Sequence, residues 1–345
     1  EDQGLALGGE EQPQEQLDGG RLARAVGAQQ SKILAAMDLY VEALHARIVG
    51  VPLRGVRLVS PFVLRSVTPP LGALTGQTVQ DVRRLGKRIV WSFPGDVWLV
   101  MHLMIAGRLR WRPSEPVCLT RPSGPGDRPS RPKGAPAPPP AKLVLAVFEF
   151  DAGRLFFTEA GSKKRASLLV GQGRAALAAL DPGGIEPLTM SLEGFHTALT
   201  RERHTIKRAL TDPKLVSGIG NAYSNEILHA ARLSPLKMTD ALTDDEWERL
   251  HRSVQVTLSH WIGRLRDEAA GHFPEKVTAF RDGMAVHGRF KQPCPTCGSP
   301  VQRIVYADNE CNYCATCQTG GRVLADRALS RLLGTAWPRT LPQVE

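Results

Sequence analysis

Four cysteines near the C-terminus have the spacing of a metal site. Cys294 and Cys297 form one C-x-x-C pair, and Cys314 and Cys317 form a second pair after sixteen intervening residues. This spacing suits one tetrahedral zinc ion held between the ends of a β-hairpin, because each turn presents two thiolates. Two disulfides are the alternative, which a long basic chain without a visible secretion signal disfavours. Four thiolates leave no open coordination position, so the predicted zinc is structural.

Two further cysteines are predicted to stay outside the metal site. Cys311 precedes the second pair by three residues, and we expect it to be a strand residue of the hairpin and not a ligand. Cys118 is expected to be an isolated thiol. The apolar residues between the two pairs, from Val301 to Tyr306, suffice for short strands.

A glycine-rich segment between two short helices is the second constellation that could do chemistry. Residues 206–223 read I-K-R-A-L-T-D-P-K-L-V-S-G-I-G-N-A-Y. Gly218 and Gly220 would let backbone amides approach a ligand, and a helix that opens at Asn221 would expose unpaired N–H groups at its positive end. Together with Lys207 the segment predicts a phosphate cradle, whereas G-x-G-N alone is more often a tight turn.

The charge of the chain points to a polyanionic partner. The 345 residues include 44 Lys and Arg against 34 Asp and Glu, a net charge of +10. Six of the acidic residues and none of the basic ones lie in residues 1–20, so the remainder carries +16 (44 basic against 28 acidic side chains). Nucleic acid is favoured over a membrane surface, because no basic amphipathic helix stands out. The longest apolar run, Val97–Gly107, is too short to span a bilayer. We expect an intracellular location without membrane contact.

The surrounding pattern predicts an α+β chain of several domains that position these sites. Short β-branched and aromatic runs such as Ile89–Phe93 indicate antiparallel strands, whereas the capping box of Thr243 and Glu246 opens a long helix with one apolar stripe. The predicted divisions are a disordered or non-homologous extension (1–37), a β-sandwich (38–180) with a Pro-rich insertion (113–141), a helical DNA-binding domain (185–282), a zinc finger (285–320) and a C-terminal tail (321–345).

Six motifs together carry a family resemblance from about Asp38 to Arg339. They are L-G-K-R (85–88), H-L-M-I-A-G-R-L (102–109), E-P-L (186–188), the I-K…G-I-G-N-A-Y segment, H-G-R (287–289) and the zinc finger. With them the chain resembles the formamidopyrimidine-DNA glycosylase and endonuclease VIII family of base-excision repair enzymes. The resemblance implies an N-terminal antiparallel β-sandwich, a helix-two-turn-helix domain and a C-terminal zinc β-hairpin. It also implies a monomer that bends damaged or abasic double-stranded DNA and flips the lesion into a pocket between the domains.

The resemblance further implies which residues contact DNA. Lys87, Lys207 and Asn221 match the residues that grip phosphates in the family. Ile105 takes the position of an apolar wedge that fills the gap left by the flipped base, and core packing is its alternative role. Two departures from the family concern other contacts. Asn309 replaces a finger arginine and brings no charge, so its contact is expected to be weaker. The basic loop Lys163-Lys164-Arg165 lacks the aromatic residue of many relatives, and a phosphate contact or a solvated loop is expected there. The full set of expected DNA contacts is Lys87, His102, Ile105, Lys163, Lys164, Arg165, Lys207, Gly218, Gly220, Asn221 and Asn309.

The family's catalytic nucleophile is missing from its expected position. In the family an N-terminal proline, followed by glutamate, attacks C1′ of the sugar through its free secondary amine; the base leaves, a Schiff base forms and elimination cleaves the strand. Alignment back from Leu39 places Lys32 at the proline position and Ile33 at the glutamate position. Asp38 takes the place of the family's helix glutamate.

Three accounts of this departure remain open. In the first, residues upstream of about Met37 are an artefact of a frameshift, splice or start site, since the chain begins with Glu1, and the protein is an active glycosylase and AP lyase for oxidised bases. In the second, the protein binds damaged or abasic DNA without chemistry. In the third, Lys32 or Lys87 performs the lyase step through its own Schiff base.

Overall fold

The computed structural model describes residues 33–104, 106–114, 137–161, 164–275, 282–306, 310–324 and 340. Within these ranges the α-helices are α1 (Ile33–Ile48), α2 (Arg174–Ala178), α3 (Leu192–Thr200), α4 (Ile206–Thr211), α5 (Asn221–Ala230), α6 (Asp244–Ala269) and α7 (Ala315–Thr319). The strands are β1 (Gly55–Leu58), β2 (Asp81–Leu85), β3 (Arg88–Phe93), β4 (Val97–His102), β5 (Gly107–Pro113), β6 (Val144–Phe150), β7 (Gly153–Glu159), β8 (Ser167–Gln172), β9 (Gln302–Val305) and β10 (Glu310–Tyr313). Short 3-10 turns occupy Pro61–Val63, Leu71–Leu74, Pro94–Asp96, Ala141–Leu143 and Thr239–Ala241.

Two four-stranded antiparallel sheets form the predicted N-terminal sandwich. Their strand orders are β2-β3-β4-β8 and β1-β6-β7-β5. The apolar side chains of both sheets share one core, in which the rings of Trp91 on β3 and Phe148 on β6 lie 5.0 Å apart in an edge-on arrangement. Such large buried aromatic side chains dominate core energetics, so this contact joins the two sheets.

Helix α1 joins the sandwich to the helical domain. Met37, Tyr40 and Leu44 lie in the sandwich core, whereas Leu34 and Leu39 lie in the core of the helical domain. The helix begins at Ile33, five residues before the predicted onset of order at Asp38. The prediction missed this turn because residues 33–37 are apolar all round and lack a capping signal; their burial against two separate cores stabilises the helix.

The helical domain is organised around the long helix α6. Its start is the predicted capping box, in which Thr243 Oγ1 accepts from the Glu246 N–H and Glu246 Oε2 accepts from the Thr243 N–H at 2.9 Å. The predicted apolar stripe is buried along its whole length. The stripe consists of Trp247, Leu250, Val254, Leu258, Trp261 and Leu265. None of the helices in the described ranges has the length and hydropathy needed to cross a bilayer.

The C-terminal unit is the predicted β-hairpin. Strands β9 and β10 pair antiparallel, with Cys311 opposite Ile304. Cys311 is a fully buried strand residue and packs in a small core with Ile304 and Tyr313, as predicted. The four remaining described cysteines lie on the turns that flank this hairpin, so the fold class expected from the sequence is confirmed.

Candidate metal centre and nucleic-acid interface

The four predicted cysteines converge on one point. All their Sγ atoms lie within 4.8 Å of one another. Two of the separations are 3.9 Å, between Cys294 and Cys317, and 3.4 Å, between Cys297 and Cys314. A tetrahedral ion with metal–sulfur bonds of about 2.3 Å separates its ligands by about 3.8 Å. The four thiols therefore fit a single tetrahedral metal ion.

Local backbone structure sets the direction of these thiols. The first pair lies in a turn closed by the Gly298 N–H, which donates to the Cys294 carbonyl at 2.9 Å. Gly298 has a φ of +77°, a conformation that favours glycine. In the second pair Cys314 is the N-cap of α7, and its Sγ accepts from the Cys317 N–H at 3.5 Å. The second turn thus directs a backbone N–H group at a sulfur atom, an arrangement that stabilises a thiolate.

The glycine-rich turn opens α5 where the sequence predicted it. Gly220 is the N-cap residue and Asn221 the first residue of the helix. Gly218 has a φ of +77°, and a Cβ atom there would lie 2.6 Å from Leu34 Cδ1. The absent side chain thus gives α1 room to pack against the turn. Any ligand contact of Gly218 and Gly220 stays a prediction.

Lys207 and Asn221 come together at the start of α5. Lys207 Nζ donates to Asn225 Oδ1 at 2.5 Å, to Ser224 Oγ at 2.9 Å and to the Asn221 carbonyl at 3.4 Å. Burial lowers the pKa of Lys207, and the neighbouring Cys311 partly opposes this shift. Asn221 Nδ2 in turn donates to the carbonyl of Glu310 in β10 at 2.8 Å. Both expected phosphate ligands therefore have internal partners.

Lys87 lies on the turn between β2 and β3 in a different environment. Its side chain is half-buried, and this burial lowers its pKa. Within the described residues its ammonium group has no hydrogen-bond or ion-pair partner. His102, which faces Arg88 across the β3–β4 ladder, has a pKa of about 4 because of burial and the charges of Arg88 and Lys87. A lysine without an acidic partner beside a neutral histidine is available to an external electrophile or anion.

Arg84 contacts both the sandwich and the helical domain, and the sequence analysis did not identify it. Its guanidinium donates to Asp38 Oδ1 at 2.5 Å, to Glu186 Oε1 at 2.6 Å and to Ser217 Oγ at 3.3 Å. It also donates to the Gly86 carbonyl at 3.2 Å, and its side chain is 11% exposed. Burial raises the pKa of Asp38 despite the charge of Arg84. This single side chain therefore joins α1, the Lys87 turn, the E-P-L motif and the turn before Gly218.

Glu226 is a second residue that sequence reasoning missed. Its carboxylate is buried and accepts backbone N–H groups from Ala285 at 2.7 Å, Val286 at 3.0 Å and His287 at 2.9 Å. The carboxylate thereby holds the H-G-R segment against α5. Asn225 Nδ2 lies 3.0 Å from His287 Nδ1, so the same segment contacts the group that binds Lys207.

The basic loop between β7 and β8 is fixed by a buried carboxylate. Glu159 accepts from the N–H groups of Arg165 at 3.1 Å and Ala166 at 3.2 Å. Lys164 and Arg165 are both exposed, and Lys164 Nζ donates to the Lys142 carbonyl at 2.9 Å. The other predicted site residues, the remaining cysteine and the proline-position lysine lie outside the described residues. These are Lys32, Ile105, Cys118, Lys163 and Asn309.

Comparisons with known proteins agree with this architecture. Residues 34–161 match the model of the formamidopyrimidine-DNA glycosylase N-terminal domain, and residues 184–267 match that of the formamidopyrimidine-DNA glycosylase H2TH domain. A formamidopyrimidine-DNA glycosylase of Thermus thermophilus is 31% identical over 258 residues, which cover 71% of this chain and 84% of the relative. An uncharacterized formamidopyrimidine-DNA glycosylase-like protein of Mycobacterium tuberculosis is 40% identical over 155 residues, 45% of this chain and 94% of the relative.

Solved structures show the same fold. The complex between Lactococcus lactis Fpg and DNA containing an abasic site superposes with a TM-score of 0.66 at 24% identity. The match covers 83% of this chain and 99% of that one. A second complex of the Lactococcus lactis protein, with DNA containing a FAPY-dG lesion, gives a TM-score of 0.67 at 24% identity and the same coverage.

Proposed function

The chain belongs to the formamidopyrimidine-DNA glycosylase family, and from this premise we propose that it is a base-excision repair enzyme that removes oxidised bases from duplex DNA and cleaves the resulting abasic site. The observation that carries the proposal is the Arg84 junction. It holds the Lys87 turn of the sandwich beside the glycine-rich turn of the helical domain, where Lys207 lies near the start of α5. Each domain thus brings a cationic group to this junction, which suits a bent phosphate backbone.

The expected DNA contacts lie on both sides of the same junction. Lys207 and Asn221 would exchange internal acceptors for phosphate oxygens, and the N–H groups after Gly218 and Gly220 would add to the positive end of α5. We propose phosphate contacts for Lys87, His102, Lys164 and Arg165 from the sandwich. Ile105, Lys163 and Asn309 are assigned to DNA contact by the family resemblance alone.

An amine must carry the lyase step. Lys87 is one candidate, because burial lowers its pKa and so enlarges the neutral fraction that acts as a nucleophile. Its Nζ would attack the C1′ aldehyde carbon of an abasic site, and loss of water would form an imine. Removal of a C2′ proton then expels the 3′ phosphate, and hydrolysis of the imine returns the lysine. Lys32, at the family's proline position, is the other candidate.

The metal is proposed to be one structural zinc ion held by the four cysteine thiolates. Its role would be structural: it would hold the two ends of the hairpin together, since four protein ligands leave no coordination position for a substrate. The hairpin is thereby held against α5, where Asn221 donates to the Glu310 carbonyl. We expect the protein to act as a monomer inside the cell, where its DNA substrate lies.

Borohydride trapping tests the enzymatic proposal. Duplexes containing an oxidised purine or an abasic site are incubated with the full chain, and reduction converts any imine into a stable covalent complex. We expect a complex in the wild-type chain, and mass spectrometry of its peptides identifies the amine as Lys87, Lys32 or the N-terminal amine. Tight binding of abasic DNA without any covalent complex would instead establish the non-catalytic binder.

A further inference from the structure

His229 lies beside the metal centre although it is not one of the four predicted ligands. It belongs to the last turn of α5, and its Nε2 is 3.2 Å from Cys294 Sγ. The two residues are 7% and 2% exposed, respectively. Cys294 is the only side chain with which the His229 ring forms a hydrogen bond within the described residues. A buried imidazole needs a partner for its N–H group, and here the partner is a metal-ligand sulfur.

Gln318 connects a second metal ligand to the same end of α5. Its Oε1 accepts from the Cys314 N–H at 2.8 Å, and its Nε2 donates to the Leu233 carbonyl at 2.8 Å. Gln318 is 7% exposed, so both hydrogen bonds are shielded from water. Leu233 follows α5 by three residues, so the amide joins the metal turn to the end of this helix.

We propose that His229 is a positioning residue for the metal: its Nε2–H donates a hydrogen bond to the Cys294 thiolate, and Gln318 supports Cys314 in parallel. A metal-bound thiolate is anionic, and a hydrogen bond to a charged acceptor is stronger than one between neutral groups. Partners of this kind orient the ligands and raise metal affinity. The contribution of His229 is thus to hold one ligand of the metal on a helix of the neighbouring domain.

The opposite end of α5 shows what this attachment does. Asn221 donates to the Glu310 carbonyl there, and Ser224 and Asn225 bind Lys207. The hairpin is therefore attached to α5 at both ends of the helix. A helix is a rigid element. Contacts between α5 and the hairpin therefore link retention of the metal at one end of the helix to the orientation of Lys207 at the other end.

Metal release from the purified full chain tests the role of His229. The zinc-loaded protein is mixed with a coloured chelator, and the rate of zinc transfer is recorded. His229→Leu keeps an apolar side chain of similar volume and removes the donor; we expect faster zinc transfer, with a metal affinity about tenfold to a hundredfold lower. His229→Gln retains an N–H donor and should recover most of the loss. His45→Leu, at an exposed position of α1, is the matched control and should release zinc as the wild type does.

Equal release rates for His229→Leu and His45→Leu would overturn the proposal. A second measurement uses the unsubstituted chain, so that the proposal is tested even where His229→Leu does not fold. Hydrogen–deuterium exchange should show that chelation lowers the protection of residues 221–233, with residues 247–262 of α6 unchanged. Unchanged protection of residues 221–233 after chelation would equally contradict it. Neither measurement involves DNA, so failure here is distinguishable from failure of the repair function.

Discussion

Lys87 and Lys207 are the same residue type in two regions with opposite surroundings. Burial lowers the pKa of both. At the start of α5, however, Lys207 donates to three internal acceptors, whereas the Lys87 ammonium on the β2–β3 turn has no such partner within the described part of the chain. The pKa direction alone therefore does not distinguish their roles. The neighbours do differ: three acceptors hold the Lys207 ammonium, and on this ground we propose the reactive-amine role for Lys87 and not for Lys207.

Substitution of Lys87 gives the largest expected effect. Lys87→Arg preserves the charge but removes the nucleophilic amine, so we expect borohydride trapping of abasic DNA to fall on the order of 1,000-fold. DNA affinity should change little. Lys214→Arg, at an exposed position, is the control and should trap as the wild type does. Full trapping by Lys87→Arg, with the adduct mapped to another amine, would remove Lys87 from the chemistry.

The pH dependence of trapping sharpens the same prediction. A neutral amine is the nucleophile, and burial lowers the pKa of Lys87 below its ordinary 10.5. The trapping rate should therefore rise with pH and reach half of its maximum below pH 10.5. A half-maximal rate at or above pH 10.5 would assign the reaction to an amine without this shift.

Arg84 holds the two regions together, and its loss should destabilise the fold. Arg84→Met removes the partner of the buried Asp38 and of Glu186, for which we expect a loss of about 3 kcal/mol in the free energy of unfolding. Arg54→Met breaks an ion pair with Asp151 in which both side chains are more than half exposed, and should leave the stability close to that of the wild type. Denaturant unfolding measures both. Equal losses would show that the Arg84 junction contributes no more than a surface pair.

Gly218 tests the packing between the glycine-rich turn and α1. Gly218→Ala combines a φ of +77° with a Cβ contact of 2.6 Å to Leu34, and should cost about 2 kcal/mol of stability. Gly183→Ala is the matched control, because its φ is +83° but a Cβ atom there meets nothing within 4 Å. It isolates the backbone strain, about 1 kcal/mol. If both variants unfold at the same denaturant concentration, the contact with Leu34 is unimportant.

Substitution of Lys207 should have the smallest effect among the four substituted positions. Lys207→Met retains the apolar stem but removes one cation from the proposed DNA-binding surface. DNA affinity should therefore fall about tenfold, and the slope of log affinity against log salt concentration (the salt slope) should decrease in magnitude by about one. Borohydride trapping at saturating DNA should persist, in contrast to Lys87→Arg. Lys142→Met, an exposed lysine of the sandwich, is the control. An unchanged salt slope in Lys207→Met would mean that this lysine does not contact phosphate.

Features that depend on short stretches of sequence could be predicted from the sequence. The two C-x-x-C pairs, the capping box at Thr243 and the start of α5 at Asn221 each depend on residues a few positions apart. Elements with less regular sequence patterns were not predicted. Strand β8 was not predicted, and α1 starts before the predicted onset of order because burial between two cores stabilises its first turn. Local patterns do not report such distant burial.

The sequence alone determined the composition of the sites: four thiols suited to one metal, a glycine-rich helix opening and a surplus of cations. Only the tertiary structure decided which side chains support them. Arg84 meets Asp38 and Glu186, and His229 meets Cys294, across separations of 46 to 102 residues. A hydrogen bond needs its two atoms about 3 Å apart in space, however far apart the residues are in the sequence. Arg84 in a strand and His229 in a helix therefore gain their roles only when the domains pack and bring their partners close.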